Sequence, residues 1–210
     1  MVGDYYSEKE RWEQVLEFLR ENALPALAAI AVVAAGYGGL RYWQSLQESH
    51  RLAASTLYSE VLDAFTRNDV AGGLRLADQL IRDYPRTSYA DQAELAAARV
   101  QVETNQLPQA ERRLRLALDS SRDRELKLVA RLRLARVQVA MGHADDALKT
   151  LSGVEPGAFA ARYAEVRGDA LLAKGDKAGA LREYENARRS GSDTVDGNLL
   201  QLKISELARS

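Results

Sequence analysis

LRLARVQVAMGHADDALKTL, residues 132–151, decides how the chain is read. Its first half carries a pentapeptide seen before: Ala98-Arg99-Val100-Gln101-Val102 recurs as Ala135-Arg136-Val137-Gln138-Val139, an offset of 37. Each copy is followed by a turn residue, Asn105 or Gly142, then a small residue, Ala110 or Ala147, then a leucine, Leu114 or Leu151. The same frame continues through Gly168, Gly175, Ala180, Tyr184 and Ala187 at an offset of 33, and more loosely back through Asn68, Gly73, Ala77, Leu80 and Pro85 at 37. Periods of this length with this alternation of small, turn and large residues are those of tetratricopeptide-like repeats. A small residue on the first helix lets the second lie close, the turn residue reverses the chain, and a bulky residue fills the groove between them. One such hairpin cannot bury its apolar side alone, so several must stack into a solenoid. The spacing predicts hairpins over 52–85, 89–121, 125–153 and 160–190. The aromatic that opens the usual motif is missing, and its tyrosine position holds Ala64, Gln101, Gln138 and Leu171. The repeats are therefore divergent, and a plain helical bundle stays open as the alternative.

Outward from the repeats, Leu199, Leu200, Leu202, Ile204 and Leu207 predict a terminal helix that closes the last hairpin, after a Gly-Ser-Asp loop at 191–197. Residues 44–60 predict a helix running into the first hairpin. The 210-residue chain has 46% hydrophobic residues and 4 prolines, with Val and Ile scattered rather than alternating, so the expected class is all-α. That length accommodates one helical domain plus a membrane segment.

The candidate membrane segment is NALPALAAIAVVAAGYGGL, Asn22 to Leu40, without a single charge. As a helix it would be roughly 28 Å long, close to the ~30 Å hydrocarbon core of a bilayer. Pro25 falls in its first turn, where a missing N–H costs little. Arg41, Tyr42 and Trp43 follow at once, a cation and two amphipathic rings suited to headgroup depth. Gly36, Gly38 and Gly39 would permit close approach of another membrane helix. A buried core helix lacks the polar stripe expected of this alternative. A cleaved signal peptide calls for a short basic lead, whereas three cations and six carboxylates precede this stretch in residues 1–21. A retained anchor is the expectation, and Lys9, Arg11 and Arg20 before it against Arg41 and Arg51 after it lean only slightly toward the N-terminus inside. Ser7-Glu8-Lys9-Glu10 has capping-box spacing, and Trp12, Val15, Leu16 and Leu19 recur at helical intervals. Residues 7–20 are thus an expected amphipathic helix, either a lead-in at the interface or a docking surface. The expected organisation is 1–21 N-terminal segment, 22–43 transmembrane helix and 44–210 repeat domain.

The residues that carry chemistry are scarce. Net charge is −1 and no basic face is clustered, which argues against nucleic acid. The absence of cysteine removes disulfides, thiolate catalysis and Cys-based zinc sites. His50 and His143 stand without metal-ligand spacing, no phosphate-binding glycine loop precedes a Lys-Ser/Thr pair, and Asp145-Asp146 open a helix, where they favour its dipole. No catalytic residue, metal site, cofactor or small-molecule substrate is expected. The frame instead directs attention to the concave side, where Gln92, Arg99, Val102, Glu103, Arg136, Val139, Arg162, Asp169 and Leu172 form a candidate groove for a protein partner. The competing reading is that the arginines pair with carboxylates on neighbouring helices.

Arg41-Tyr42-Trp43 after a single span, LRLARVQVAMGHADDALKTL at 132–151 and RGDALLAKGDKAGA at 167–180 together resemble the YfgM family. The likeness is close over 126–180, moderate around the span and weak over 52–95. It implies a bacterial inner-membrane protein with a short cytoplasmic N-terminus, one transmembrane helix and a periplasmic repeat domain. It further implies an ancillary subunit of the SecYEG translocon, associated with a PpiD-like periplasmic chaperone, that helps pass translocated proteins onward. The alternative is a membrane-tethered repeat scaffold of another envelope assembly or stress-signalling complex.

Overall fold

The computed structural model describes residues 12, 13, 15–17, 20, 23–191 and 197–209, the surroundings of residues 23, 24, 26 and 29 excepted. Helices follow one another: α1 (Ala23–Thr66), α2 (Val70–Asp83), α3 (Ser88–Glu103), α4 (Leu107–Ser120), α5 (Arg124–Ala140), α6 (Ala144–Leu151), α7 (Ala160–Ala173), α8 (Lys177–Arg189) and α9 (Gly197–Arg209), with a 3-10 turn at Gly157–Phe159. No strand occurs among the described residues. The chain divides into two compact units, residues 1–52 and 53–210, the division falling inside α1. Of the expected helix at 7–20, residues 12, 13, 15–17 and 20 are helical and residues 7–11 lie outside the described residues, as does most of the 191–197 loop. Among the described residues no helix is long and apolar enough to cross a membrane. The expected span at 22–40 lies partly outside them.

The second unit is built from hairpins, and each reverses at the residue that the repeat frame marks. Asn68, Asn105, Gly142 and Gly175 have φ of 62°, 58°, 81° and 83°, the left-handed conformation that Gly and Asn tolerate best. The residue after each donates its N–H five residues back, to the carbonyls of Ala64, Gln101, Gln138 and Leu171. This closes the helix end by satisfying carbonyls that have no partner within the helix. The position that holds tyrosine in the common motif thus serves here through its backbone. The following helix starts in two ways. Asp69 and Asp176 cap α2 and α8 by accepting from the N–H of Gly72 and Gly179. Gln106 and His143, at the corresponding points of α4 and α6, make no side-chain cap.

Packing follows the same frame. Ala110, Ala147 and Ala180 are fully buried, as is the residue four further on in the last hairpin, Tyr184. Facing pairs trade volume along the chain. Val61 shares a core cluster with Ala77, Ala98 with Leu114, and Ala135 with Leu151. At the end of the series a Cβ on Gly168 would meet the ring of Tyr184 at 2.5 Å. As the first member shrinks from Val through Ala to Gly, the second grows from Ala through Leu to Tyr, which keeps the interior close-packed. Each buried leucine contributes about 1.5–3 kcal/mol relative to exposure. Leu200 and Ile204 of α9 join Tyr184 and Ala187 in the last cluster, so α9 covers the apolar side that the fourth hairpin would leave open.

Candidate functional site

α3, α4 and α5 surround a half-open cavity of about 330 Å3. Ala98, Arg99, Val102 and Glu103 come from α3, Leu107 and Leu114 from α4, and Arg133, Arg136, Val137 and Ala140 from α5. Its floor belongs to the second core cluster through Ala98, Leu114 and Val137. Four of the nine groove residues expected from the frame, Arg99, Val102, Glu103 and Arg136, are gathered here. The repeat offset of 37 brings this about, since it places Arg99 and Arg136 one hairpin apart on the same side of successive first helices.

The other five lie outside the lining. Val139 packs against the third hairpin's core, with Leu128, Leu132 and Tyr163. Asp169 accepts a hydrogen bond from the Tyr184 hydroxyl at 2.7 Å and pairs with Lys203 at 2.7 Å. Gln92 and Arg162 are half-buried, and Leu172 is exposed. Both arginines form ion pairs, but only Arg136 pairs with a neighbouring helix. Arg99 pairs with Glu103 one turn along its own helix at 2.7 Å, with both side chains more than half exposed, a geometry that adds little stability. Arg136 reaches across to Glu165 of α7 at 3.6 Å.

Arg133 is a cavity residue that the repeat frame did not expose. Its Nη1 donates to the carbonyl of Leu95 at 3.1 Å, and among the described residues it makes no ion pair. Burial lowers its pKa from the ordinary arginine value, and the charges of Arg99 and Arg136 lower it further, against a small opposing effect of Tyr58. Residue 96, its counterpart one repeat earlier, is alanine, so no recurrence marks it. The available signal was its position three residues before Arg136, on the same helical face.

Two other cations are each held by a pair of carboxylates. Arg113 of α4 binds Asp78 of α2 at 2.7 Å and buried Glu94 of α3 at 3.1 Å. Burial would lower the Arg113 pKa, but the two carboxylates hold it above its usual value. Glu94 is raised, since burial outweighs Arg113. At the other end, Lys203 of α9 joins Glu165 at 3.0 Å to Asp169 and lies 5.3 Å over the Tyr184 ring. Among the described residues no group of His, Asp or Glu is placed to hold a metal ion. His50 and His143 are exposed.

In the first unit, Leu27, Ile30, Val32, Val33, Tyr37, Leu40, Tyr42 and Trp43 of α1 are all more than half exposed. They fall around the whole helix rather than along one stripe. A Cβ on Gly36, Gly38 or Gly39 would meet nothing within 4 Å. Arg41 donates to the Tyr37 hydroxyl at 3.2 Å and sits 5.7 Å over its ring.

Residues 17–209 match the tetratricopeptide repeat-like domain family. The chain is 33% identical to the ancillary SecYEG translocon subunit of Escherichia coli over 97% of its own length and 98% of that protein's. It is 32% identical to that of Haemophilus influenzae over 95% and 97%. The Neisseria gonorrhoeae protein of the same name is 24% identical over 98% and 100%. The structure of the MamA RS-1 ArsTM double mutant superposes with a TM-score of 0.56 at 15% identity, over 74% of this chain and 94% of that one, and so shares the fold.

Proposed function

The chain belongs to the family of the ancillary SecYEG translocon subunits, built on a tetratricopeptide repeat-like domain, and from that premise we propose that it is an ancillary translocon subunit itself, an interaction protein and not an enzyme. The observation that carries this reading is the likeness to the Escherichia coli subunit from end to end, which takes in both the repeats and the apolar N-terminal stretch. In this reading residues 1–21 lie in the cytoplasm, residues 22–43 cross the inner membrane, and residues 44–210 form a periplasmic repeat domain. That domain helps pass emerging proteins to periplasmic chaperones, including a PpiD-like membrane-anchored one.

The anchor is supported by the charge-free sequence from Asn22 to Leu40, counted over every residue rather than over the described ones. It is supported also by the apolar side chains that surround α1 there, because a helix apolar on all sides needs a covering other than water. Arg41, Tyr42 and Trp43 then mark the interface at its end. The repeat domain contributes a surface rather than a reaction. Arg113 and Lys203 each hold two carboxylates, whereas Arg133 in the α3–α5 cavity makes no ion pair among the described residues.

Two experiments separate the parts of this reading. Carbonate extraction of membranes leaves the chain in the pellet if α1 is an anchor, and its release into the supernatant refutes the anchor. Mild detergent solubilisation followed by purification of the chain recovers SecY and a PpiD-like chaperone. Recovery of neither, with the chain folded, refutes the translocon assignment and favours a scaffold of another envelope assembly.

A further inference from the structure

We propose that the α3–α5 cavity binds an extended acidic peptide segment of a protein partner, in which one large apolar side chain lies between two carboxylate side chains. The inference deepens the proposed interaction role and rests on it for the presence of a protein partner. Three arginines line the cavity against one glutamate, Glu103, while Glu165 reaches Arg136 from outside the lining at 3.6 Å. One ligand carboxylate meets Arg133, which makes no ion pair among the described residues, and the second competes for Arg99 or Arg136, whose pairs are exposed or long.

The floor and the walls have different chemistry. Leu114 and Val137 form an apolar floor that is nearly closed to water, and Val102 stands at the rim 41% exposed. At about 330 Å3 the space is at the small end of ligand pockets, which run from about 300 to 1,000 Å3. It takes one bulky side chain and is too small for the acyl chains of a lipid. The arginines stand beside that floor on two different helices, so carboxylates on either side of the inserted side chain meet separate guanidinium groups. Arg133 is the decisive member. It is half-buried, faces two like charges, donates to the Leu95 carbonyl and makes no ion pair among the described residues. A carboxylate arriving there relieves the repulsion and supplies a charge-assisted bond, which is stronger than a bond to a neutral carbonyl. Arg113 and Lys203, by contrast, already hold two carboxylates each.

The test uses the full chain in neutral-detergent micelles and fluorescein-labelled peptides with a glycine–serine frame. One probe carries phenylalanine between two glutamates, a second replaces the glutamates by lysine, and a third replaces the phenylalanine by alanine. Fluorescence anisotropy is expected to show saturable binding of the first, and binding weaker by about tenfold or more for the other two. Arg99→Glu and Arg133→Gln are each expected to weaken the first probe by about tenfold or more. Arg188→Glu, an equal change of charge on exposed α8, is expected to leave it unchanged. Arg99 is mostly exposed, so its variant keeps the fold, which thermal unfolding checks. Equal binding of the lysine peptide, or equal loss with Arg188→Glu, overturns the proposal. So does binding of phosphatidylglycerol vesicles, rather than peptide, that depends on Arg99 and Arg133. Recovery of SecY by a chain that binds no peptide refutes this inference alone. Peptide binding by a chain that recovers no SecY refutes the translocon assignment and leaves the groove.

Discussion

The middle and the end of the solenoid use the same repeat position in opposite ways. Arg99, Arg136 and Asp169 are equivalent in the frame, at offsets of 37 and 33. In the middle hairpins the position is cationic and borders a cavity with Arg133 beside it. In the last hairpin it is acidic, and α9 delivers Lys203 onto it while the Tyr184 hydroxyl donates to the same carboxylate. On the last hairpin α9 covers the side, and the polar groups there are satisfied within the fold. In the middle repeats Arg99 keeps an exposed pair within its own helix, Arg136 a long one to Glu165, and Arg133 no ion pair among the described residues. Structural closure and recognition thus fall on different hairpins of one repeat.

That contrast breaks most severely at Tyr184. Its ring fills the space above Gly168 and is fully buried, so Tyr184→Ala should cost about 3–5 kcal/mol in equilibrium urea unfolding. Gly168→Ala attacks the same contact from the other side. Overpacking against a ring that Asp169 holds in place should cost about 1–3 kcal/mol. Gly73→Ala, beside half-buried Phe65, should cost less, because that ring has room to move outward.

Lys203→Met should cost about 1–3 kcal/mol by leaving Asp169 without its cation and Glu165 with only the long pair to Arg136. Burial alone would lower the Lys203 pKa, but the two carboxylates raise it above 10.5. A folded-state value above the unfolded one means that the contribution is complete below pH 10.5 and is lost only as pH rises through the raised value. The penalty of Lys203→Met should therefore be undiminished at neutral pH and shrink in strongly alkaline urea titrations. A constant penalty across that range would deny Lys203 its role.

Arg136→Gln sharpens the other half of the contrast. The side chain is half exposed and its pair with Glu165 is long, so stability should change by less than about 1 kcal/mol, while recovery of the partner falls. The smallest effect belongs to exposed Asp145. Its hydrogen bond from Lys174 and the charge of that lysine hold its pKa below the ordinary carboxylate value. Whatever it contributes is present above the ordinary value and disappears as pH falls through the depressed one. Carboxyl NMR titration should show the depressed value move back toward the ordinary one in Lys174→Met.

Much of the fold was legible because it is local. Asn68, Asn105, Gly142 and Gly175 mark reversals through backbone conformation that a residue's own type determines, and all four take the left-handed conformation. Leu199, Leu200, Leu202, Ile204 and Leu207 announced α9 by their spacing. Repetition made part of the candidate site legible: Arg99 and Arg136 recur, and Arg133 does not. Nor did the pairs Arg113–Glu94 and Lys203–Glu165 stand out, since they join residues 19 and 38 apart whose meeting depends on how hairpins stack. The volume exchange between Gly168 and Tyr184 has the same origin. Each residue alone fits the frame, and the reason for the pair exists only across the helix interface.

In-cell photo-crosslinking tests the account most directly, with a photoreactive amino acid placed in turn at Val33 in α1, at Val102 on the cavity rim and at Leu172 outside the cavity. The account predicts translocon adducts from Val33, adducts to a periplasmic chaperone or an emerging secreted protein from Val102, and markedly fewer from Leu172. Cytoplasmic proteins captured at Val102, or equal capture at Val102 and Leu172 with no translocon component at Val33, would contradict it.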